Sequence, residues 1–229
     1  MNYLSRVSVD GTRLDAESLA RVMCEDGYRD HQQLWGLFET DSGAKRDFLY
    51  RREQSSGNFS RFYLLSARKP KSSSGLWCVE TKEFKPVIQR GQRLAFVLRV
   101  NPVVTRKNEN GRQQRHDVVM DLKHQQHYKE LNESERPAMR MLIQEAGERW
   151  LKSRAERYGF SFDKGDVSVD GYTQHISRKR KQKSPIRYST LDVSGLLTVD
   201  DVGLFLQSLY DGIGPAKAFG CGLMLVRKV

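Results

Sequence analysis

The spacing of apolar positions changes along the chain, and each change marks an element. Asn2 to Val9 alternates, with Tyr3, Ser5, Val7 and Val9 on one side and Leu4 on the other, which predicts an opening strand. From about Asp15 the period becomes helical, with Leu19, Val22 and Met23 on one face and Gly27 as the terminator. A second helix is expected from Asp30, the N-cap candidate, with Gln33 at capping-box spacing and Leu34, Leu37 and Phe38 apolar. Arg46 to Arg52 and Phe59 to Ala67 read as a hairpin joined through Ser55-Ser56-Gly57-Asn58. Lys69 to Gly75 is a Lys/Pro/Ser-rich loop, and Leu76 to Ile88 supplies a further strand. The order so far is strand–helix–strand–strand–weak helix–strand.

After Arg90-Gly91-Gln92 the order restarts. Leu94 to Val100 is a strongly apolar strand ending at Asn101-Pro102, and Thr105 to Arg115 is a polar, basic segment expected as an exposed loop. Ser134 to Tyr158 carries the longest helical signal, with Pro137 in its first turn and Ala138, Met141, Leu142, Trp150 and Leu151 inward. Strands are expected at Asp166 to His175 and Arg187 to Leu197. Thr198 then caps a helix bearing Val202, Phe205, Leu206 and Leu209, and a glycine-rich loop leads into a last strand from Leu223 to Val226. A βαββαβ order is the ferredoxin-like unit. The economical reading is therefore an α+β chain of two tandem ferredoxin-like domains, residues 1–90 and 91–229.

Composition narrows the function class. The 229 residues carry a net charge of +11, which favours a polyanionic partner, most simply nucleic acid. A membrane surface is the competing partner. It would require a helix with basic and bulky apolar faces, whereas Ser134 to Tyr158 mixes acids among its bases. No apolar run approaches the ~20 residues of a spanning helix, and the N-terminus has no signal-peptide core. Cys24, Cys78 and Cys221 are odd in number and far apart, the pattern of reduced thiols in a cytoplasmic protein.

Three stretches could carry chemistry. The loop Gly212-Ile213-Gly214-Pro215-Ala216-Lys217-Ala218-Phe219-Gly220-Cys221-Gly222 sets two Gly-x-Gly pairs around a lysine. Its backbone N–H groups suit phosphate contact, but the spacing fits neither a dinucleotide fingerprint nor a Walker loop. In Tyr28-Arg29-Asp30-His31, the tyrosine is expected just before a helix and His31 in its first turn, where free N–H groups attract phosphate. Histidine exchanges protons near neutral pH, so His31 is the candidate acid or base; a surface histidine in a polar cap is the alternative. Arg178, Lys179, Arg180, Lys181 and Lys183, with Arg187 following, form either a solvated loop or a basic finger on RNA backbone. Lys107, Arg112 and Arg115 have a weaker claim of the same kind. Phe59, Phe62 and Tyr63 could stack bases, although core packing is the commoner fate of such residues. His116, His124 and His127 lack the spacing of a zinc site and read as solvated, so neither metal nor cofactor is expected.

These residues together resemble the CRISPR RNA endoribonuclease family of the type I-E Cascade complex, CasE. The resemblance runs through Tyr3-Leu4-Ser5-Arg6-Val7, Tyr28-x-x-His31-x-x-Leu34-Trp35-x-x-Phe38, Arg46-Asp47-Phe48-Leu49-Tyr50 and Leu98-Arg99-Val100-Asn101-Pro102. It ends in Gly212 to Leu223, its most specific motif, and is only general from 103 to 185. It implies the tandem fold and metal-independent cleavage of CRISPR precursor RNA at the base of the repeat stem-loop. It further implies that the 2′-oxygen attacks the adjacent phosphorus and the 5′-oxygen departs, giving a 2′,3′-cyclic phosphate. The product hairpin is retained, and the protein, a monomer on its own, becomes a Cascade subunit. The family histidine maps on His31 and its tyrosine on Tyr28. The expected RNA contacts are then the basic run with Arg187, Lys217 with Gly214, Gly220 and Gly222, Arg46, and Lys107, Arg112 and Arg115. A non-catalytic RNA-binding module would use the same basic and glycine-rich features.

Overall fold

The computed structural model describes residues 1–9, 27–38, 47–53, 61–72, 76–177 and 184–229. The chain divides into two compact units. One comprises Met1–Val87, Ile176–Ile186 and Tyr210–Leu223; the other comprises Ile88–His175, Arg187–Leu209 and Met224–Val229.

In the first unit, strands β1 (Tyr3–Val9), β2 (Phe48–Glu53), β3 (Arg61–Ser66) and β4 (Trp77–Glu83) form a sheet in the order β2-β3-β1-β4, with every pair antiparallel. Val7 stands opposite both Phe62 and Val79, at the centre of the sheet. The alternation read in β1 is realised, since Ser5, Val7 and Val9 are buried. Helix α1 (Gly27–Trp35) lays Leu34 on this face, and Leu37 and Phe38 follow it into a cluster with Phe48, Tyr50, Phe62, Leu64 and Trp77. Each such side chain contributes on the order of 1.5–3 kcal/mol by leaving water. Phe62 is therefore core, and Phe59 lies outside the described residues.

Three expectations are corrected here. Gly27 is helical rather than a terminator, so Tyr28 lies inside α1 and His31 stands a turn further in. Asp30 is no N-cap: it is buried within the helix, and its carboxylate is engaged by Arg52 of β2. That ion pair outcompetes the capping role the sequence spacing suggested. The weak helix expected between β3 and β4 does not occur among the described residues. There Lys69 precedes Pro70, which disfavours helical backbone, and the Lys71 N–H donates to the Leu37 carbonyl. The expected helix from Asp15 lies outside the described residues.

The second unit is built on β5 (Arg93–Val100), flanked by β10 (Ile186–Val199) and β11 (Met224–Lys228). Two-residue β8 (Phe160–Ser161) and long β9 (Val167–Ser177) both pair with β10. Leu94, Phe96, Leu98 and Val100 alternate inward along β5. Arg99 faces Asp192 directly across the β5–β10 ladder and holds it with two hydrogen bonds of 3.0 and 2.7 Å. The segment expected as a loop is instead a hairpin, β6 (Val103–Lys107) with β7 (Gln113–Asp117), whose polar residues leave both faces largely in water. Its turn is held by the Asn108 side chain, which accepts from the N–H groups of Asn110 and Arg112.

Asp117 ends that hairpin and caps a helix not anticipated from the sequence, α2 (Val118–Gln125), by accepting from the N–H groups of Val119 and Met120. The long helix is shorter than expected: α3 spans Met139–Ala155. Pro137 precedes it, Ala138 is exposed and Met141 is 66 % exposed, while Leu142, Trp150 and Leu151 point inward as read. At Gly147 the helix comes so close to β9 that a Cβ would lie 2.5 Å from a Val169 methyl. Thr198 belongs to β10 rather than to a cap. The start of α4 (Val202–Asp211) is served by Asp201, which accepts from the Leu204 N–H.

Candidate active site

α1 places Tyr28 and His31 three residues apart, hence on one helical face, and both are half-buried. The His31 imidazole lies 5.3 Å from Phe48 in a near-parallel stack, 5.6 Å from Trp35 and 6.5 Å from Tyr50. Phe48 and Tyr50 sit two residues apart on β2, so the pleat turns both rings toward the helix. His31 is thus held against a fixed aromatic shelf. The Tyr28 hydroxyl accepts from Gln32 one turn on, at 3.3 Å.

Two further contacts fix this helix. Arg52 Nη1 reaches both oxygens of Asp30, at 3.0 and 3.2 Å, with side-chain exposures of only 11 % and 6 %. Tyr50, fully buried, directs its hydroxyl between the Gly27 carbonyl at 2.6 Å and the Ala218 carbonyl at 3.2 Å. One phenol therefore ties the helix bearing His31 to the glycine-rich loop.

That loop is closed on itself. The Ile213 N–H donates to the Gly222 carbonyl at 2.9 Å, and Lys217–Phe219 forms a 3₁₀ turn. Gly214, Gly220 and Gly222 have φ of 79°, 78° and 96°, left-handed values that side chains resist. A Cβ on Gly220 would also come within 3.1 Å of the Tyr50 ring. Packing and backbone geometry therefore both favour a glycine at 220. Lys217 donates to the Asp211 carbonyl at 2.5 Å, which folds its side chain along the loop.

The other expected RNA contacts fall in several places. Arg187 is exposed on β10, and Lys107, Arg112 and Arg115 are exposed on the β6–β7 hairpin. Arg46 and residues 178–183 lie outside the described residues. From the sequence Asp30 was read only as a cap, Arg52 only as a strand end, and Trp35, Phe48 and Tyr50 only as parts of motifs, with no role in the site. The i, i+2 aromatic pair Phe48 and Tyr50 was the available signal, since it marks the strand face a helix must cover. Among the described residues no group of three or more His, Cys, Asp or Glu is placed to hold a metal ion. No helix among them is long and apolar enough to cross a membrane.

The sequence matches the CRISPR-associated protein family over residues 2–228. It is also 30% identical over 224 residues to the CRISPR system Cascade subunit CasE of Escherichia coli K12, covering 97% of each chain. The chain belongs to the CRISPR-associated protein family. Solved structures share this fold. Cse3 of Thermus thermophilus, solved with an RNA representing a pre-cleavage complex, superposes with a TM-score of 0.67 at 21% identity, covering 99% of this chain and 98% of that one. Cas6e of Escherichia coli K-12 superposes with a TM-score of 0.59 at 24% identity, covering 99% and 100%.

Proposed function

We propose that this CRISPR-associated protein is an endoribonuclease that cuts CRISPR precursor RNA at the base of the repeat stem-loop, without a metal ion, and keeps the hairpin as a cytoplasmic Cascade subunit. The observation that carries the reading is the end-to-end similarity to a Cascade subunit, combined with a His/Tyr helix clamped to a glycine-rich loop. The sheet order β2-β3-β1-β4 supports reading the first unit as ferredoxin-like, and we extend that to a tandem pair, 1–90 and 91–229, that is monomeric outside the complex.

In this mechanism the 2′-hydroxyl next to the scissile bond loses its proton as its oxygen attacks phosphorus. The P–O5′ bond breaks, the 5′-oxygen takes up a proton, and the product is a 2′,3′-cyclic phosphate. His31 serves as a proton-transfer group, a role worth about 10²–10⁴-fold in rate. Tyr28, on the same face, positions or shares that proton. Loop N–H groups and nearby cations stabilise the charge on the pentacoordinate phosphorus. The basic run 178–183, with Arg46, Arg187, Lys217 and the hairpin cations, holds the RNA backbone.

The test uses labelled stem-loop repeat RNA in excess EDTA. Wild-type protein cuts it, a 2′-deoxy substitution at the scissile ribose stops cleavage, and His31→Ala slows it at least ~10²-fold while hairpin affinity is kept. Full cleavage by His31→Ala, or a requirement for metal, refutes the mechanism. RNA binding without cleavage by the wild-type protein identifies a binding module instead.

A further inference from the structure

A wide cleft opens in the second unit between one face of the β6–β7 hairpin, α2, and the segment 126–136 that follows it. Strand pairing puts Arg106 beside Gln114 on the cleft face, whereas Thr105 and Arg115 pair on the other face. The cleft volume is ≈1200 Å³, above the roughly 300–1,000 Å³ of small-molecule pockets. A length of polymer fills it better than a metabolite does.

Three of the five histidines of the chain line this space: His116 from β7, His124 from α2, and His127 just beyond it. His127 is held at φ 50°, an uncommon conformation for a residue with a side chain. The cations around them are Arg106, Lys107, Lys123, Lys129 and Arg136. The acids are Glu109, Asp117, Asp121 and Glu130. The lining therefore carries one net positive charge with the histidines neutral and four with all three protonated.

Most of the acids are already engaged. Arg106 donates twice to Asp121, at 2.5 and 2.6 Å, and this holds that carboxyl below its usual range. Asp117 accepts from the start of α2, from the Tyr172 hydroxyl and from Ser189. Glu130 faces His127 at 3.4 Å. Lys123 and Arg136 rest over the Tyr128 ring, at 5.0 and 5.7 Å.

We propose that this cleft binds a single-stranded RNA segment flanking the stem-loop, and that binding is coupled to proton uptake by His116, His124 and His127. A phosphodiester beside an imidazole favours the charged form, so RNA binding and proton uptake reinforce each other. The choice of RNA rests on the function proposed above; the charge switch rests on the cleft itself.

The experiment measures affinity for stem-loop RNA blocked by 2′-deoxy at the scissile ribose, with and without a short single-stranded 5′ or 3′ extension. One extension is expected to add about tenfold in affinity near pH ~6 and little near pH ~8. Replacing all three histidines by Gln removes that gain and leaves affinity for the bare hairpin unchanged. All three are exposed, and a thermal melt confirms folding. A gain that is equal at both pH values, or kept in the triple variant, overturns the proposal. So does no gain from either extension, the outcome for a cleft that docks protein. Cleavage of unblocked RNA is followed in parallel, so loss of the proposed activity is distinguished from loss of this binding.

Discussion

The Asp30–Arg52 pair allows a sharp test of what holds the His31 helix. The two side chains are 6 % and 11 % exposed, and one guanidinium nitrogen spans both carboxylate oxygens. Removing one partner takes the paired counter-charge away from a group that stays buried, and Arg52 also lies over the Phe62 ring at 5.7 Å. Breaking a buried pair this way costs about 3–5 kcal/mol, whereas replacing both partners by apolar residues is often neutral. Asp30→Leu and Arg52→Leu should each lower the melting temperature by roughly 6–20 °C, at 2–4 °C per kcal/mol for a chain of this size. The double variant should return to within a few degrees of wild type, with a coupling energy of about 5 kcal/mol or more. Because Asp30 directly precedes His31, cleavage of stem-loop RNA at 25 °C should fall in each single variant and recover in the double. Calorimetry and a single-turnover assay on the four proteins decide the matter. A single variant as stable as wild type, or a double variant no better than Arg52→Leu, refutes the view that the two buried charges depend on each other.

Other outcomes follow from the same geometry. Tyr50→Phe, which removes the hydroxyl between Gly27 and Ala218, should cost about 1–2 kcal/mol by chemical denaturation. Gly220→Ala should cost about 1–3 kcal/mol because φ is 78°, with more if the Tyr50 ring cannot give way. Acid should weaken the fold through Asp47 and Asp121, whose carboxyls are held below their usual range chiefly by hydrogen bonds from Arg68 and Arg106. A depressed pKa stabilises above the unfolded value, so this share is lost as pH falls below about 4, and Asp47→Asn should flatten that part of the stability–pH curve. Alkali should act through Tyr172, whose phenol is pushed up to about 12 by burial and the nearby Asp117 carboxylate. A raised pKa stabilises below the unfolded value near 10, so stability declines from about pH 10 upward, and less steeply in Tyr172→Phe.

The sequence was most readable where a single period governed an element. β1 declared its inward face by alternation, β5 announced itself by an apolar run, and Leu34, Leu37 and Phe38 declared a buried face by helical spacing. It was least readable where a partner distant in sequence decides a residue's role. Asp30 has the spacing of a cap, but Arg52 claims its carboxylate. The β6–β7 hairpin is nearly all polar, so no apolar face announces it, and its pairing rests on backbone ladders and the Asn108 turn. Helix α2 was legible in hindsight: Asp117 before Val118, Val119 and Leu122 is a cap followed by an inward stripe. Of the candidate site, Tyr28, His31 and the glycine loop stood out by residue type. Tyr50, which binds them together, did not, because an aromatic residue in a strand usually signals no more than core.

The bridge from Tyr50 to Ala218 joins residues 168 positions apart. The first unit, although it opens the chain, takes in Tyr210–Leu223 as well. During synthesis the strands and α1 of this unit are made well before the loop that Tyr50 grips, whose Ala218 lies 168 positions downstream. A nascent or prematurely terminated chain ending before Tyr210 therefore holds His31 without its loop. In such a chain the proposed nuclease stays unassembled until the loop has been made, and a truncation that removes Ala218 acts on a helix encoded far upstream of it.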